Sequence, residues 1–175
     1  MNDIIKAMQE RRSIRSFRDT MPERALIEQI VEAGLYAPNG RGEQAVLTLA
    51  VTDPDLRRRI SEVNRTIGGW PESFDPFYGA PVILIVLGRK DWPTHVYDGS
   101  LVMGNLMLAA HSLGLGSIWI HRAKEEFELP EFRQLLQEMG VEGQWEGIGH
   151  CALGWPEGPL PKAAPRKPGR VCWLE

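Results

Sequence analysis

Cysteine is scarce: Cys151 and Cys172 are the two in 175 residues, in separate apolar segments without CxxC or Cys/His ligand spacing. This predicts two buried, reduced thiols and no metal site, so redox chemistry would have to come from a bound organic cofactor. An excess of positive charge is also missing. Twenty Lys and Arg against 23 Asp and Glu give a net charge of −3, which argues against a general nucleic-acid binder. No uncharged apolar stretch reaches the ~18 residues of a spanning helix; the longest, Leu101 to Leu115, contains Asn105 and His111. The start, Met1-Asn2-Asp3-Ile4, lacks the basic-then-apolar run of a secretory signal. A cytoplasmic protein with no membrane partner is expected. Nucleotide motifs are absent as well: there is no GxGxxG after a strand and no GxxxxGK[ST], and the pair Gly114-x-Gly116 precedes a strand.

At 43% hydrophobic and 25% charged residues, the chain fits one globular domain over 1–175. Ile4, Ile5 and Met8 predict a helix from Asp3 to Arg12 with Asn2 as its cap. A second helix follows Pro22, turns Leu26, Ile30, Val31, Ala33 and Gly34 inward, and stops before Pro38. Val46–Val51 reads as a strand, and Asp53-Pro54 as the cap and first position of a helix to about Arg65. Thr66 to Gly79, rich in Gly, Pro and aromatics, is an irregular segment and a candidate active-site lid. Pro81–Leu87 (PVILIVL) has the pattern of a central strand, apolar on both faces.

A long helix is expected from Asp98 to Leu113, then a strand over Ser117–His121, a helix over Phe132–Met139, a strand within Trp145–Leu153 and a terminal strand over Val171–Leu174. Strands alternating with helices predict a mixed sheet flanked by helices. The long helix is apolar around nearly its whole circumference, which suits burial on every side. Two readings stay open for it: a central core helix, or one that supplies a dimer interface where Gly104 and Ala109 allow close approach.

Charge is unevenly spread. Residues 11–18 and 162–170 hold eight of the 20 basic residues (Arg11, Arg12, Arg15, Arg18, Lys162, Arg166, Lys167 and Arg170) and no acid. Two acid-free basic patches suit a bound anion if they meet in space, and arginine's planar fork suits phosphate. They equally suit cations offsetting the dipole at the end of the first helix, and a solvated tail.

Five segments occur in a telling order: Arg11-Arg12-Ser13-Ile14-Arg15-Ser16-Phe17; Ala37-Pro38-Asn39-Gly40-Arg41-Gly42-Glu43-Gln44; Asn105 to Ile120 with Leu113-Gly114-Leu115-Gly116-Ser117-x-Trp119-Ile120; Ala152-Leu153-Gly154-Trp155-Pro156; and Pro165-Arg166-Lys167-Pro168. With them the chain resembles the nitroreductase-like FMN-dependent oxidoreductases over nearly its full length. The resemblance implies an α+β fold, a central mixed β-sheet flanked by helices, and an obligate homodimer with a C-terminal extension. It assigns the FMN phosphate to Arg11, Arg12 and Ser13 from one end of the chain and to Arg166 and Lys167 from the other. It puts Arg15 near flavin N1 and the C2 carbonyl, where a cation favours reduction because the ring gains negative charge. Pro38, Asn39, Gly40 and Gln44 would contact the ring, partly from the second subunit, and backbone groups near Ile120 and His121 would approach its N5 side. The loop departs from the family pattern APSGxNxQPW: Asn39 stands for the Ser, Gly42 for the later Asn, and Ala45-Val46 for Pro-Trp, which changes the polar groups it offers.

The implied activity is a ping-pong transfer of hydride from NADH or NADPH through FMN to a small acceptor such as a nitroaromatic, quinone-like compound or enone. No side chain is needed as a general acid or base. His121 is the nearest candidate proton donor, whereas His95, His111 and His150 read as surface or satisfied core residues. Trp70, Trp92, Phe74 and Phe77 fit either stacking on a flat substrate or lid packing. The alternatives are a flavin-binding protein without NAD(P)H turnover, or different chemistry on the same flavin (reduced-flavin cleavage or dehalogenation).

Overall fold

Residues 2–175 are described by a computed structural model; Met1 lies outside the described residues. Helix α1 (Asp3–Glu10) begins where the Asn2 side chain accepts from the Ile4 N–H at 2.9 Å. Helix α2 is Arg24–Leu35, and strand β1 (Val46–Val51) falls where its β-branched run predicts. In α3 (Pro54–Gly68) the Asp53 carboxylate accepts from Leu56 N–H at 2.8 Å, and Pro54 occupies the first turn. This helix runs past the expected Arg65 because Gly69, in the left-handed region, caps Arg65 and Thr66. Then follow β2 (Val82–Arg89), α4 (His95–Ser112), β3 (Gly116–Ile120), α5 (Ala123–Phe127), α6 (Pro130–Glu138) and β4 (Trp145–Gly154). No helix among the described residues is long and apolar enough to cross a membrane.

The fold is α+β, with strand order β1-β2-β4-β3. The expected mixed sheet takes the form of four antiparallel strands, and the parallel pairing is one isolated bridge, Ser13 to Ser117, on the outer edge of β3. Because β4 inserts between β2 and β3, those two strands run the same way and α4 crosses over between them. Strand β2 is buried on both faces, as PVILIVL predicts. Ile83, Ile85 and Leu87 enter a core shared with Ile60 and Val63 of α3 and Phe127 of α5. Val82, Leu84 and Val86 enter a second core with Ile27 and Ile30 of α2 and Val102, Met103 and Leu106 of α4. The alternation of strand side chains splits one hydrophobic run between two layers.

Helix α4 buries one face only. Met103 and Leu106 are fully buried, while Tyr97 is 71% and Leu101 46% exposed. Full encirclement by core is therefore not what the apolar circumference encodes. Ile4, Ile5 and Met8 of α1 also face outward, and a groove of about 420 Å³ runs between α1 and α4, lined by Ile4, Ala7, Asn105, Leu108 and Ala109 among others.

The terminal strand expected at Val171–Leu174 is not formed; residues 157–175 are exposed coil, with Trp173 at 83% and Leu174 at 98%. A strand needs an edge to pair with, and beyond Glu157 the tail makes no backbone hydrogen bond to one among the described residues. Cys172 is accordingly exposed, which corrects the expectation of two buried thiols, while Cys151 is buried and both are free.

The candidate lid is anchored in its second half. Phe77 is fully buried, and the Asp75 carboxylate accepts from Ser61 Oγ at 2.7 Å, Phe77 N–H at 3.0 Å, Gly79 N–H at 2.8 Å and the Arg57 guanidinium. Burial pushes the Asp75 carboxyl up, but the hydrogen bonds from Arg57 and Ser61, the Arg57 charge and the Gly79 N–H outweigh it and hold the group below its ordinary value of 3.8. A depressed folded value means stabilisation that is complete above the unfolded value and lost as pH falls through the folded one. Melting temperature followed from pH 7 to pH 2 should thus fall more steeply below 3.8 in the natural protein than in Asp75→Asn.

At the start of β4 the register slips between Val86 and Leu87, so Ile148 is bulged. Gly147 lies so close to α5 that a Cβ would fall on the Ala123 carbonyl, an obstacle that no rotamer change relieves. Gly147→Ala should cost about 3 kcal/mol in urea unfolding.

Candidate active site

The basic segment after α1 is held on the outer edge of β3. Ser13 bridges Ser117, Ile14 N–H donates to Ser117 O at 3.1 Å, Arg18 N–H to Trp155 O at 2.9 Å, and Glu157 N–H to Ser16 O at 3.0 Å. Ile14 and Phe17 are buried beneath it. Residues 13–17 thus run as an irregular extra strand, which pins Arg11, Arg12 and Ser13 at the Ser117 end of β3.

Arg12 donates through Nη1 to Gln9 O at 2.6 Å and Arg11 O at 2.8 Å, which ties it to the C-terminal carbonyls of α1. The helix-end reading of this arginine is therefore correct for one of its nitrogens. Its Nε, and Nη1 of Arg11, are shielded from solvent and have no acceptor among the described residues. Burying a charged donor without a partner is costly. Arg11 also lies near Cys151: burial pushes that thiol up to about 12, although its hydrogen bond with Ser117 and the Arg11 charge both pull it down. Arg15 is exposed.

Ile120 ends β3 and His121 follows it. Three residues of strand, roughly 10 Å, separate Ile120 from Ser117. Beyond them Arg122 takes a left-handed conformation (φ 80°) at the start of α5, and its guanidinium lies over the Trp70 ring, 4.4 Å from the centroid. A cleft of about 590 Å³ opens here, lined by Ile67, Ser100, Trp119, His121, Arg122 and Ile148 among others.

The Pro38–Gln44 loop sits at the N-terminal end of α4. Gly40 N–H donates to both Asp98 oxygens, at 3.1 and 3.2 Å, and Thr94 Oγ1 donates to the same carboxylate at 3.0 Å. Asn39 Oδ1 accepts from Gln44 N–H at 2.9 Å, and Glu43 pairs with Arg89 at 2.8 Å. A Cβ at Gly40 would run into Thr94 Oγ1 at 2.5 Å, so the loop approaches α4 as closely as it can. Pro38 and Gln44 are exposed.

The structure therefore gathers Arg11, Arg12 and Ser13 at one end of β3 and Ile120 and His121 at the other. It sets Pro38, Asn39, Gly40 and Gln44 apart, on the first turns of α4. Arg166 and Lys167 stand on the tail, in a concavity lined by Ala164–Val171, with Arg166 turned back onto Ala164 O.

Sequence reasoning missed Asp98, an acid with 3% exposure inside an apolar helix. It also missed a polar cluster beneath the β3–α5 turn. Glu126 and His150 are both wholly buried, with Oε2 and Nε2 2.7 Å apart. Asn64 Nδ2 donates to Glu126 Oε1 at 2.6 Å and to His121 O at 2.8 Å, and His150 Nδ1 lies 3.3 Å from Ile120 O. The sole hint in the sequence was a histidine in the middle of the apolar strand GIGHCALG.

Comparison with known proteins follows the same lines. A protein of Archaeoglobus fulgidus whose name pairs NADH dehydrogenase with NAD(P)H nitroreductase is 28% identical over 160 residues, covering 90% of this chain and 87% of that one. The FMN reductase [NAD(P)H] of Bacillus subtilis is 29% identical over 161 residues, covering 75% of this chain and 62% of that one. The crystal structure of a Bacteroides fragilis nitroreductase with bound FMN superposes with a TM-score of 0.88 at 28% identity, covering both chains completely. The model of the nitroreductase family matches residues 8–67 and 70–155, and the chain belongs to that family.

Proposed function

We propose that this chain binds FMN and, as a homodimer, passes hydride from NADH or NADPH to a small electron acceptor. The observation that carries this is the pair of buried, unpartnered guanidinium nitrogens, Arg11 Nη1 and Arg12 Nε. A phosphate monoester fits them: it is dianionic, offers several acceptor oxygens, and is bound through charge-assisted bonds. The Ser13 hydroxyl adds a donor, and Arg166 and Lys167 reach the same phosphate on a tail that extends from the body after Glu157. FMN supplies N5 as the atom that accepts and returns hydride. Arg15 stabilises the charge that reduction adds, the Ile120–His121 turn offers backbone groups to the ring edge, and the Pro38–Gln44 loop of a second copy covers it. The FMN seen in the Bacteroides structure and the names of both relatives support this reading.

The dimer draws support from apolar surface that a lone chain leaves open: Ile4, Ile5 and Met8, the outer face of α4, and Trp173 and Leu174 of the tail. Such surface is characteristic of association sites.

Purified protein should be yellow, and anaerobic NADH or NADPH should bleach it. Colourless protein that takes up no added FMN overturns the proposal, and bound FMN that stays oxidised under excess NAD(P)H leaves a binder without turnover. Arg11→Ala should raise the FMN dissociation constant by about 10- to 100-fold, the size of one shielded charge-assisted contact, read by quenching of flavin fluorescence on titration into apoprotein. Leu101→Glu, at a half-exposed position, should leave the monomer folded, convert dimer to monomer in analytical ultracentrifugation, and lose FMN with it.

A further inference from the structure

The cluster of Asn64, Glu126 and His150 lies outside the groups just assigned, yet it grips the backbone that they depend on. It joins three elements, α3, α5 and β4, and its outward bonds go to two consecutive carbonyls, Ile120 O and His121 O. A peptide unit is planar and trans, so holding the C=O of one residue fixes the N–H of the next, which points the opposite way. Anchoring Ile120 O aims the His121 N–H, and anchoring His121 O aims the Arg122 N–H. The carbonyls turn into the core. The two N–H groups donate to no acceptor among the described residues, and His121 and Arg122 line the adjoining cleft.

Proton count supports a fixed geometry. Both ring nitrogens of His150 face oxygens, Glu126 Oε2 and Ile120 O. Two arrangements satisfy both ring nitrogens: an imidazolium beside a carboxylate, or a neutral ring with its proton on Nδ1 beside a protonated Glu126. In either, the pair carries no net charge, which suits complete burial. A neutral ring beside an ionised carboxylate would leave a lone pair against an oxygen.

We infer that Asn64, Glu126 and His150 are positioning residues, which hold the Ile120–Arg122 turn so that the His121 and Arg122 N–H groups face the N5 edge of the flavin. This assignment rests on the FMN reading above. It is the hydrogen-bond pattern that matters, and Glu126→Gln preserves it: the amide oxygen accepts from Asn64, the amide nitrogen donates to His150 Nε2, and Nδ1–H still donates to Ile120 O. Asn64→Ala removes the donor to His121 O.

The test has two readouts besides turnover. In apoprotein, ¹⁵N order parameters of His121 and Arg122 should be about 0.85 in the natural chain and in Glu126→Gln, and should fall below about 0.6 in Asn64→Ala. In FMN-loaded protein, the flavin midpoint potential should be displaced by Asn64→Ala and held by Glu126→Gln. Order parameters and potential that stay unchanged in Asn64→Ala, with only the melting temperature lowered, overturn the assignment. So does a Glu126→Gln potential displaced as far as that of Asn64→Ala. Should Asn64→Ala not fold, Asn64→Leu, which keeps the volume and removes both donors, takes its place; it should shift both readouts the same way, and unchanged values overturn the assignment equally. A natural protein that takes up no FMN refutes the cofactor reading instead and leaves the apoprotein measurement to decide this one.

Discussion

Backbone pairing along the outer edge of β3 is the contact on which the site depends. A sheet edge presents unpaired N–H and C=O groups that have to be covered. Here residues 13–17 cover part of it through the Ser13–Ser117 bridge and the Ile14–Ser117 bond. The same contact carries two arginines to the sheet and seals one nitrogen of each from water. Edge protection and the shielding of these guanidinium nitrogens thus fall in one stretch of chain. Strip the segment from β3 and Ile14 and Phe17 leave the core while the guanidinium groups return to solvent.

Beneath that edge the fold is stiff where the site needs it to be. Strand β2 feeds two hydrophobic layers at once, and the bulge at Ile148 with Gly147 against Ala123 packs β4 tightly on α5. Buried and half-buried acids then act as local anchors. Asp98 fixes the Pro38–Gln44 loop to α4, Asp75 fixes the end of the irregular segment to α3, and Glu126 ties α3 to β4. In the first two cases a loop is held to a helix through a carboxylate, and in the third a carboxylate joins a helix to a strand.

Much of this was legible in the chain. PVILIVL signalled a strand apolar on both faces, Asp53-Pro54 a helix start, and Arg11-Arg12-Ser13 with the later blocks a family. The apolar circumference of α4 was legible as composition but not as burial, because sequence does not say whether an outer face meets the same chain or another. The strand expected at 171–174 failed for a related reason: β-propensity describes a segment, whereas a strand requires a neighbour. Asn64, Glu126 and His150 stayed hidden because they come from three distant elements, and each residue type alone reads as surface or as an ordinary core position. Only the fold puts their polar atoms within bonding distance.

The contrast between the two sulfur atoms has a practical consequence. Cys151 sits within β4 with its buried thiol held protonated, near Arg11, and Cys172 projects on the tail. Thiolate character and access decide which sulfur reacts, so the folded chain offers a single nucleophilic handle to alkylating dyes and spin labels. That handle lies within the exposed coil of residues 157–175, away from both hydrophobic layers. A probe attached there reports on the surroundings of the tail and leaves the core undisturbed.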